Sequence, residues 1–370
     1  MRVPALQRVL SERGETAALI VSAENIRYFT GFYTWNNRVA FALAIVAARG
    51  GAVLLVPRAD EALARAVGRC SLEPYDPGAG GFRTTAELAR RVLERMGADG
   101  ALALEFGAVT FDRAQVLLAA LPQHRIADGT AAIADLRLQK DSAEQETLRR
   151  AGALAGTAMR QVASGLRPGV SEIEVKAAME QAVYTEGARR WPESIVQAET
   201  NVVSGPKLDR LHDGATGRTV GAGDVVFVIG KASVDGYQGD VGRTLFVPGG
   251  APQAEAQRDL YVATEAHRAA VQRLRPGALL GDAVAAADEV LARAGMADRR
   301  TYPMIRGLGL RADERPRVTT DLDLRVAPGM CMCAQLYLKR PGGIVGRSDS
   351  VLITDGGPAV LSQAADAGAQ

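Results

Sequence analysis

The tetrapeptide Leu-Arg-Pro-Gly occurs at 166–169 and again at 274–277, a separation of 274 − 166 = 108 residues. Each copy follows a segment of helical spacing and precedes another. The second helix of each unit is expected to stop at a glycine, Gly187 in one and Gly295 in the other. A turn and an apolar strand come next, VVFVIG from Val225 and CMCAQL from Cys331, offset by 331 − 225 = 106 residues. A helix, turn, helix and strand repeated in this order reads as one supersecondary unit used twice. The second part of the chain is therefore expected to be a duplicated α+β unit, with the two strands side by side about a pseudo-twofold axis. Ile229 and Gln335 would then be symmetry mates facing one cleft.

The duplicated part begins after a boundary near 137–142, where RLQKDSAEQETLRRAG turns polar. Here Asp141 with Glu144, or Ser142 with Gln145, can form a capping box that opens a new helix. A chain of 370 residues is long enough for two cores, and the domains are placed at 1–136 and 137–370. The first alternates helix and strand patterns. AFALAIVAARGGAVLLVP looks like two buried strands around a Gly-Gly turn, and TTAELARRVLERMGADG like a helix closed by a glycine. That order is α/β, a sheet flanked by helices.

The formal charge, 44 − 42 = +2, gives no electrostatic case for nucleic acid or a membrane surface. No apolar run approaches the ~20 residues needed to span a bilayer. The first residues, MRVPALQRVLSERGETAALIV, are amphipathic and interrupted by charge, unlike a signal peptide. Three cysteines, Cys70, Cys331 and Cys333, do not make a disulfide framework. These features point to a cytoplasmic protein.

The segments GDVVFVIGKASVDGYQGDVGRTLFV (223–247), RGLGLRADERP (306–316), GMCMCAQLYL (329–338) and SDSVLIT (348–354) resemble the pita-bread family, which contains methionine aminopeptidase, aminopeptidase P, prolidase and creatinase. The resemblance covers nearly the whole chain. It implies an α/β creatinase-like N-terminal domain followed by an α+β pita-bread domain with an internal pseudo-twofold repeat. In that family five side chains hold two divalent ions, which activate a bridging water. Carried onto this chain, the five positions are Ile229, Asp240, Arg306, Gln335 and Ser348. Asp240 is the one acidic residue among them, whereas a catalytic metal takes about three protein ligands. Neither a metal nor another cofactor is expected.

The resemblance also places His212, in LDRLHDGATGRTVGAGD, at the family's substrate-positioning histidine. Creatinase works without metal and uses that histidine for proton transfer, which implies a general acid/base role for His212. The expected function is a metal-independent enzyme acting on a small anionic, amino-acid-like substrate, with C–N bond hydrolysis as the reaction. A non-hydrolytic lyase or cyclase in the same cleft is one alternative, and a catalytically inactive binding or scaffold protein is another. Arg306 reads two ways: as a plug paired with Asp240, or as a planar fork for a substrate carboxylate. Gln335, Ser348 and Tyr237 complete the substrate-binding set. ENIRYFTGFYTWNNRVAF resembles the segment that reaches into a partner subunit's cleft. It implies a homodimer, with Trp35 as an aromatic wall and Arg38 near the position of a carboxylate-binding arginine. The implied partner is a small, carboxylate-bearing molecule. Cys333, on the same strand face as Gln335 by alternation, is an alternative thiol nucleophile.

Overall fold

The structure, a computed structural model, describes residues 2–34, 41–251, 253–302 and 304–364. The chain divides into two compact units, Met1–Arg137 and Leu138–Gln370.

In the first unit the strands are β1 (Glu15–Ile20), β2 (Leu43–Ala47), β3 (Ala52–Pro57), β4 (Ser71–Tyr75), β5 (Ala101–Leu104) and β6 (Ile126–Asp128). They form one sheet in the order β4-β3-β2-β1-β5-β6. β2 and β3 pair antiparallel around the Gly-Gly turn, and β1–β5, β5–β6 and β3–β4 pair parallel. Every residue of β2, Leu-Ala-Ile-Val-Ala, is buried. That accounts for its unbroken apolar run, since a strand covered on both faces does not alternate. The helices are α1 (Arg2–Glu12), α2 (Ala23–Thr30), α3 (Glu61–Val67), α4 (Phe82–Arg95), α5 (Phe111–Ala120) and α6 (Thr130–Asp135). α4 buries Ala86, Leu88, Ala89, Val92 and Leu93 on one stripe, and Gly97 follows it at φ +66°.

The second unit opens with α7 (Ser142–Gly165), which carries the expected capping box. Glu144 N–H donates to Asp141 Oδ1 at 2.9 Å, and Asp141 N–H donates to Glu144 Oε2 at 3.0 Å. α8 (Glu172–Arg190) repeats the device with Ser171 and Glu174. Strands β7 (Val196–Ser204), β8 (Val225–Val234) and β9 (Tyr237–Phe246) follow. Then come α9 (Ala254–Arg273), α10 (Leu280–Arg293), β10 (Ile305–Gly307), β11 (Glu314–Arg317), β12 (Cys331–Arg340), β13 (Gly343–Thr354) and β14 (Gly357–Val360). The sheet order is β11-β10-β12-β13-β9-β8-β7, with β14 on β13.

This order contains the duplication. Each half supplies a helix pair and then three long-range-paired strands, β7-β8-β9 or β10-β12-β13, and the halves meet where β9 and β13 pair antiparallel. Ile229 lies opposite Gly242, Gly242 opposite Ser348, and Ser348 opposite Gln335. Because 335 − 229 = 348 − 242 = 106, the local twofold axis passes between Gly242 and Ser348. The β8–β9 hairpin turns on Asp235 and Gly236, at φ +46° and +81°. Two central residues of positive φ match the twist of flanking strands, which is why Asp-Gly suits this site.

One expected helix end is wrong. α8 runs through Gly187 to Arg190. Gly187 is there for contact: a Cβ would lie 2.9 Å from Val196 Cγ2, so the helix can approach β7 only without a side chain.

β7 ends the sheet, and an end strand leaves backbone groups unpaired. Side chains spaced four residues apart on α8 fill three of them. Lys176 Nζ donates to Thr200 O at 2.9 Å, Thr200 N–H to Glu180 Oε1 at 3.0 Å, and Ala198 N–H to Tyr184 Oη at 3.3 Å. Among the described residues, no helix is long and apolar enough to cross a membrane.

Candidate active site

Alternation on β9 assigns the two faces of the second sheet. Gly239 lies against α7, where a Cβ would meet Ala151 backbone at 2.4 Å. Asp240 therefore points to the opposite, open face. There a cavity of about 560 Å³ is lined by Ile229 and Lys231 of β8, Asp240 of β9, Gln335 and Tyr337 of β12, and Arg306 of β10. Loop residues Leu211, His212, Tyr302 and Asp313 close its sides, with Lys176, Glu199 and Asn201 on another wall.

The floor is held by an ion pair. Arg306 Nη2 donates to Asp240 Oδ2 at 2.7 Å, and Ser348 Oγ donates to Asp240 Oδ1 at 3.0 Å. The Asp240 side chain is 1% exposed and that of Arg306 19%. Burying either charge alone would be costly, so the pair is mutually required. Arg306 Nη1 is buried and makes no hydrogen bond among the described residues. Cys333 lies beside the pair. Burial pushes its thiol well above the ordinary value, and the opposing pull of Arg306 is smaller. A thiolate nucleophile at Cys333 is therefore disfavoured.

His212 sits in the loop after β7, with its Nδ1 3.2 Å from Tyr302 Oη. The loop is fastened from below by Glu172, the first residue of α8. Glu172 accepts from Ser204 Oγ at 2.7 Å, Lys207 Nζ at 2.7 Å, Thr216 N–H at 3.0 Å and Thr216 Oγ1 at 2.9 Å. Both flanks of His212 are thus tied to one buried carboxylate.

The structure brings His212, Arg306, Asp240 and Gln335 to one cavity. Ser348 is fully buried beneath it and reaches the site only through Asp240. Tyr237 does not belong there. It lies an odd number of residues from Asp240, so it faces the helices, and its Oη donates to Glu144 Oε1 at 2.8 Å. Trp35 and Arg38 lie outside the described residues. Sequence reasoning missed Tyr302, Lys176 and Lys231. Lys231 had a signal, being two residues beyond Ile229 on the same strand face, whereas Tyr302 lies in a loop that periodicity does not address.

On the helix side of the same sheet, Arg243 and Asp349 pair at 2.7 Å, with Arg347 at 2.8 Å from Asp349. His267 of α9 is buried against them, Nε2 3.2 Å from Ala334 O. Burial depresses its pKa to about 4, against the pull of Asp349.

A creatinase-type α/β unit followed by a duplicated, cleft-bearing sheet is the architecture of the pita-bread peptidases. Residues 146–355 match the model of metallopeptidase family M24, and residues 2–139 match that of the creatinase/prolidase N-terminal domain. The chain belongs to metallopeptidase family M24. It is 27% identical over 365 residues to a putative dipeptidase, YkvY, of Bacillus subtilis, covering 98% of this chain and 97% of that protein. It is 29% identical over 234 residues to a Xaa-Pro dipeptidase of Pyrococcus furiosus, covering 62% of this chain and 65% of that one. Its fold matches the prolidase of Pyrococcus horikoshii with a TM-score of 0.85 at 22% identity, over 99% of both chains.

These comparisons correct the expected function. The relative matched along nearly the whole chain is a putative dipeptidase, and the one matched over 62% of it is a Xaa-Pro dipeptidase, names that point to peptide hydrolysis. They do not support a metal-independent enzyme on an amino-acid-like anion, a lyase or cyclase, or a scaffold. Five cleft positions and a likeness to one metal-free relative carry little information about what the remaining walls accept.

The family name implies metal, and the cleft residues do not fit a two-metal centre. Asp240 has one oxygen engaged by a guanidinium and the other by Ser348. Among the described residues, no group of three or more His, Cys, Asp or Glu is placed to hold an ion, against about three protein ligands in a catalytic site.

Proposed function

We propose that the cleft receives short peptides of dipeptide size and that the bond it addresses is the peptide bond. The observation that carries this is the cavity itself in an M24 chain. At about 560 Å³ it falls in the range of small-ligand sites. Its walls mix Lys176, Lys231 and Arg306 with Glu199 and Asp313, which suits a molecule charged at both ends. We assign the peptide's carboxylate to Arg306 and a carbonyl oxygen to His212, with Gln335 as a neutral amide partner between them. The domain assignment, 1–136 and 137–370, puts all of these residues in the second domain. A cytoplasmic setting agrees with three cysteines free of disulfides. We also propose a homodimer, on the family likeness of the segment around 33–38, and light scattering at micromolar concentration decides between one copy and two.

The purified protein is incubated with a dipeptide panel that includes Xaa-Pro members. Free amino acids are quantified and binding is followed by calorimetry. Saturable binding with release of amino acids is expected. Neither binding nor release across the panel would overturn the reading.

A further inference from the structure

Tyr302 and His212 reach the cleft on separate loops, and Tyr302 does so at a backbone cost. Its φ is +60°, in the left-handed region that a bulky residue enters rarely and with strain. Burial does not offset that strain, because the residue remains 42% exposed. What the conformation secures is a contact. Tyr302 Oη lies 3.2 Å from His212 Nδ1, with the two rings at 85° and their centroids 5.4 Å apart. Tyr302 also meets Tyr337 edge-on at 6.2 Å, and Tyr337 meets the core residue Phe227 at 5.1 Å. A run of aromatic rings thus ties an exposed loop histidine to the core.

The direction of the bond follows from acidity. A phenol is a better proton donor than a neutral imidazole N–H, and an imidazole nitrogen is a better acceptor than a phenol oxygen. Tyr302 O–H therefore donates and Nδ1 accepts, which leaves the imidazole proton on the other nitrogen. We infer that Tyr302 is a positioning residue that fixes His212 as its Nε2–H tautomer, so that the neutral ring presents a hydrogen-bond donor to an acceptor oxygen of the ligand. Nothing is transferred in this role. The lone pair that a general base would need is already engaged at Nδ1, so His212 holds and polarises an oxygen instead of removing a proton. That the oxygen is a peptide carbonyl rests on the short-peptide reading, whereas the tautomer does not.

Long-range proton–nitrogen correlation spectra of the full-length protein, at a pH where the ring is neutral, separate a protonated from an unprotonated imidazole nitrogen. His212→Gln assigns the signal, and His124 and His267 report that the fold is unchanged. The wild type should show His212 with Nε2 protonated and Nδ1 bare. Tyr302→Phe keeps the ring and the backbone but removes the hydroxyl, and its His212 nitrogens should shift toward a tautomer average. A protonated Nδ1 in the wild type, or a Tyr302→Phe spectrum identical to wild type, overturns the inference. In calorimetry with alanyl-proline as probe, Tyr302→Phe should weaken binding by about 2–10-fold, the worth of one oriented hydrogen bond. Wild-type affinity in that variant would also count against the inference. If the wild type binds neither the probe nor any other member of the dipeptide panel, the short-peptide reading fails, and the spectra still decide the tautomer.

Discussion

Ile229 and Gln335 occupy equivalent registers on β8 and β12, separated across the sheet by Gly242 and Ser348 alone. One half of the duplication contributes an apolar floor residue and the other an amide. The cleft is therefore symmetric in backbone and asymmetric in chemistry.

Close packing on the twofold axis makes Gly242 sensitive. A Cβ there would lie 2.6 Å from Ser348 Oγ and 3.3 Å from Tyr337 Oη. Gly242→Ala should destabilise by about 1–3 kcal/mol, as overpacking does. Ser348→Ala removes the colliding hydroxyl along with its bond to Asp240. The two changes should be non-additive in a double-mutant cycle, the pair costing less than the sum of the singles in urea denaturation. Simple additivity would count against the contact.

The ion pair at the floor should behave as a unit. Arg306→Ala leaves Asp240 buried without its cation and should cost about 3–5 kcal/mol. Arg306→Met combined with Asp240→Asn removes both charges and should recover much of that loss. Equal stability of Arg306→Ala and wild type would mean that Asp240 finds water readily.

His212 is exposed in its loop, so its removal should separate function from stability. His212→Ala should lose no more stability than the single hydrogen bond and ring contact with Tyr302 supply, about 1–2 kcal/mol, while lowering affinity or turnover on dipeptides. Arg306→Lys should act chiefly on binding, because an ammonium does not reproduce the planar fork. Full activity of His212→Ala would move the carbonyl contact elsewhere on the wall.

Acid sensitivity should trace in part to the helix side of the sheet. Burial holds the His267 pKa at about 4 in the folded chain, against 6.5 for a free imidazole. Between these values the unfolded chain binds more protons, so stability falls as pH drops from about 6.5 and this contribution is spent near 4. The whole step is on the order of 3 kcal/mol. His267→Gln should flatten the stability profile in that window. An unchanged slope would place the acid response on other groups.

Much of this architecture was legible in the chain. The repeated Leu-Arg-Pro-Gly and the 106-residue strand offset define the twofold axis, because duplication forces equal registers on both sides of it. Asp141 with Glu144 marks a helix start by local chemistry alone. Gly187 misled because a glycine demanded by a neighbouring Val196 looks in sequence like one demanded by a helix end. Tyr237 carries its own signal in the sequence, since strand parity against Asp240 sends it to the other face. Tyr302 had no signal, for its left-handed backbone and its bond to His212 arise from two loops that meet only in the folded chain.

The Lys176, Glu180 and Tyr184 side chains that fill the outer backbone of β7 bear on how copies of this chain can associate. With those groups engaged, a neighbour's strand cannot pair with β7 at Ala198 and Thr200. Fibrous stacking through that border would first require α8 to peel away. Lys176 also lines the cleft, so a change that opened the border would disturb the ligand wall with it.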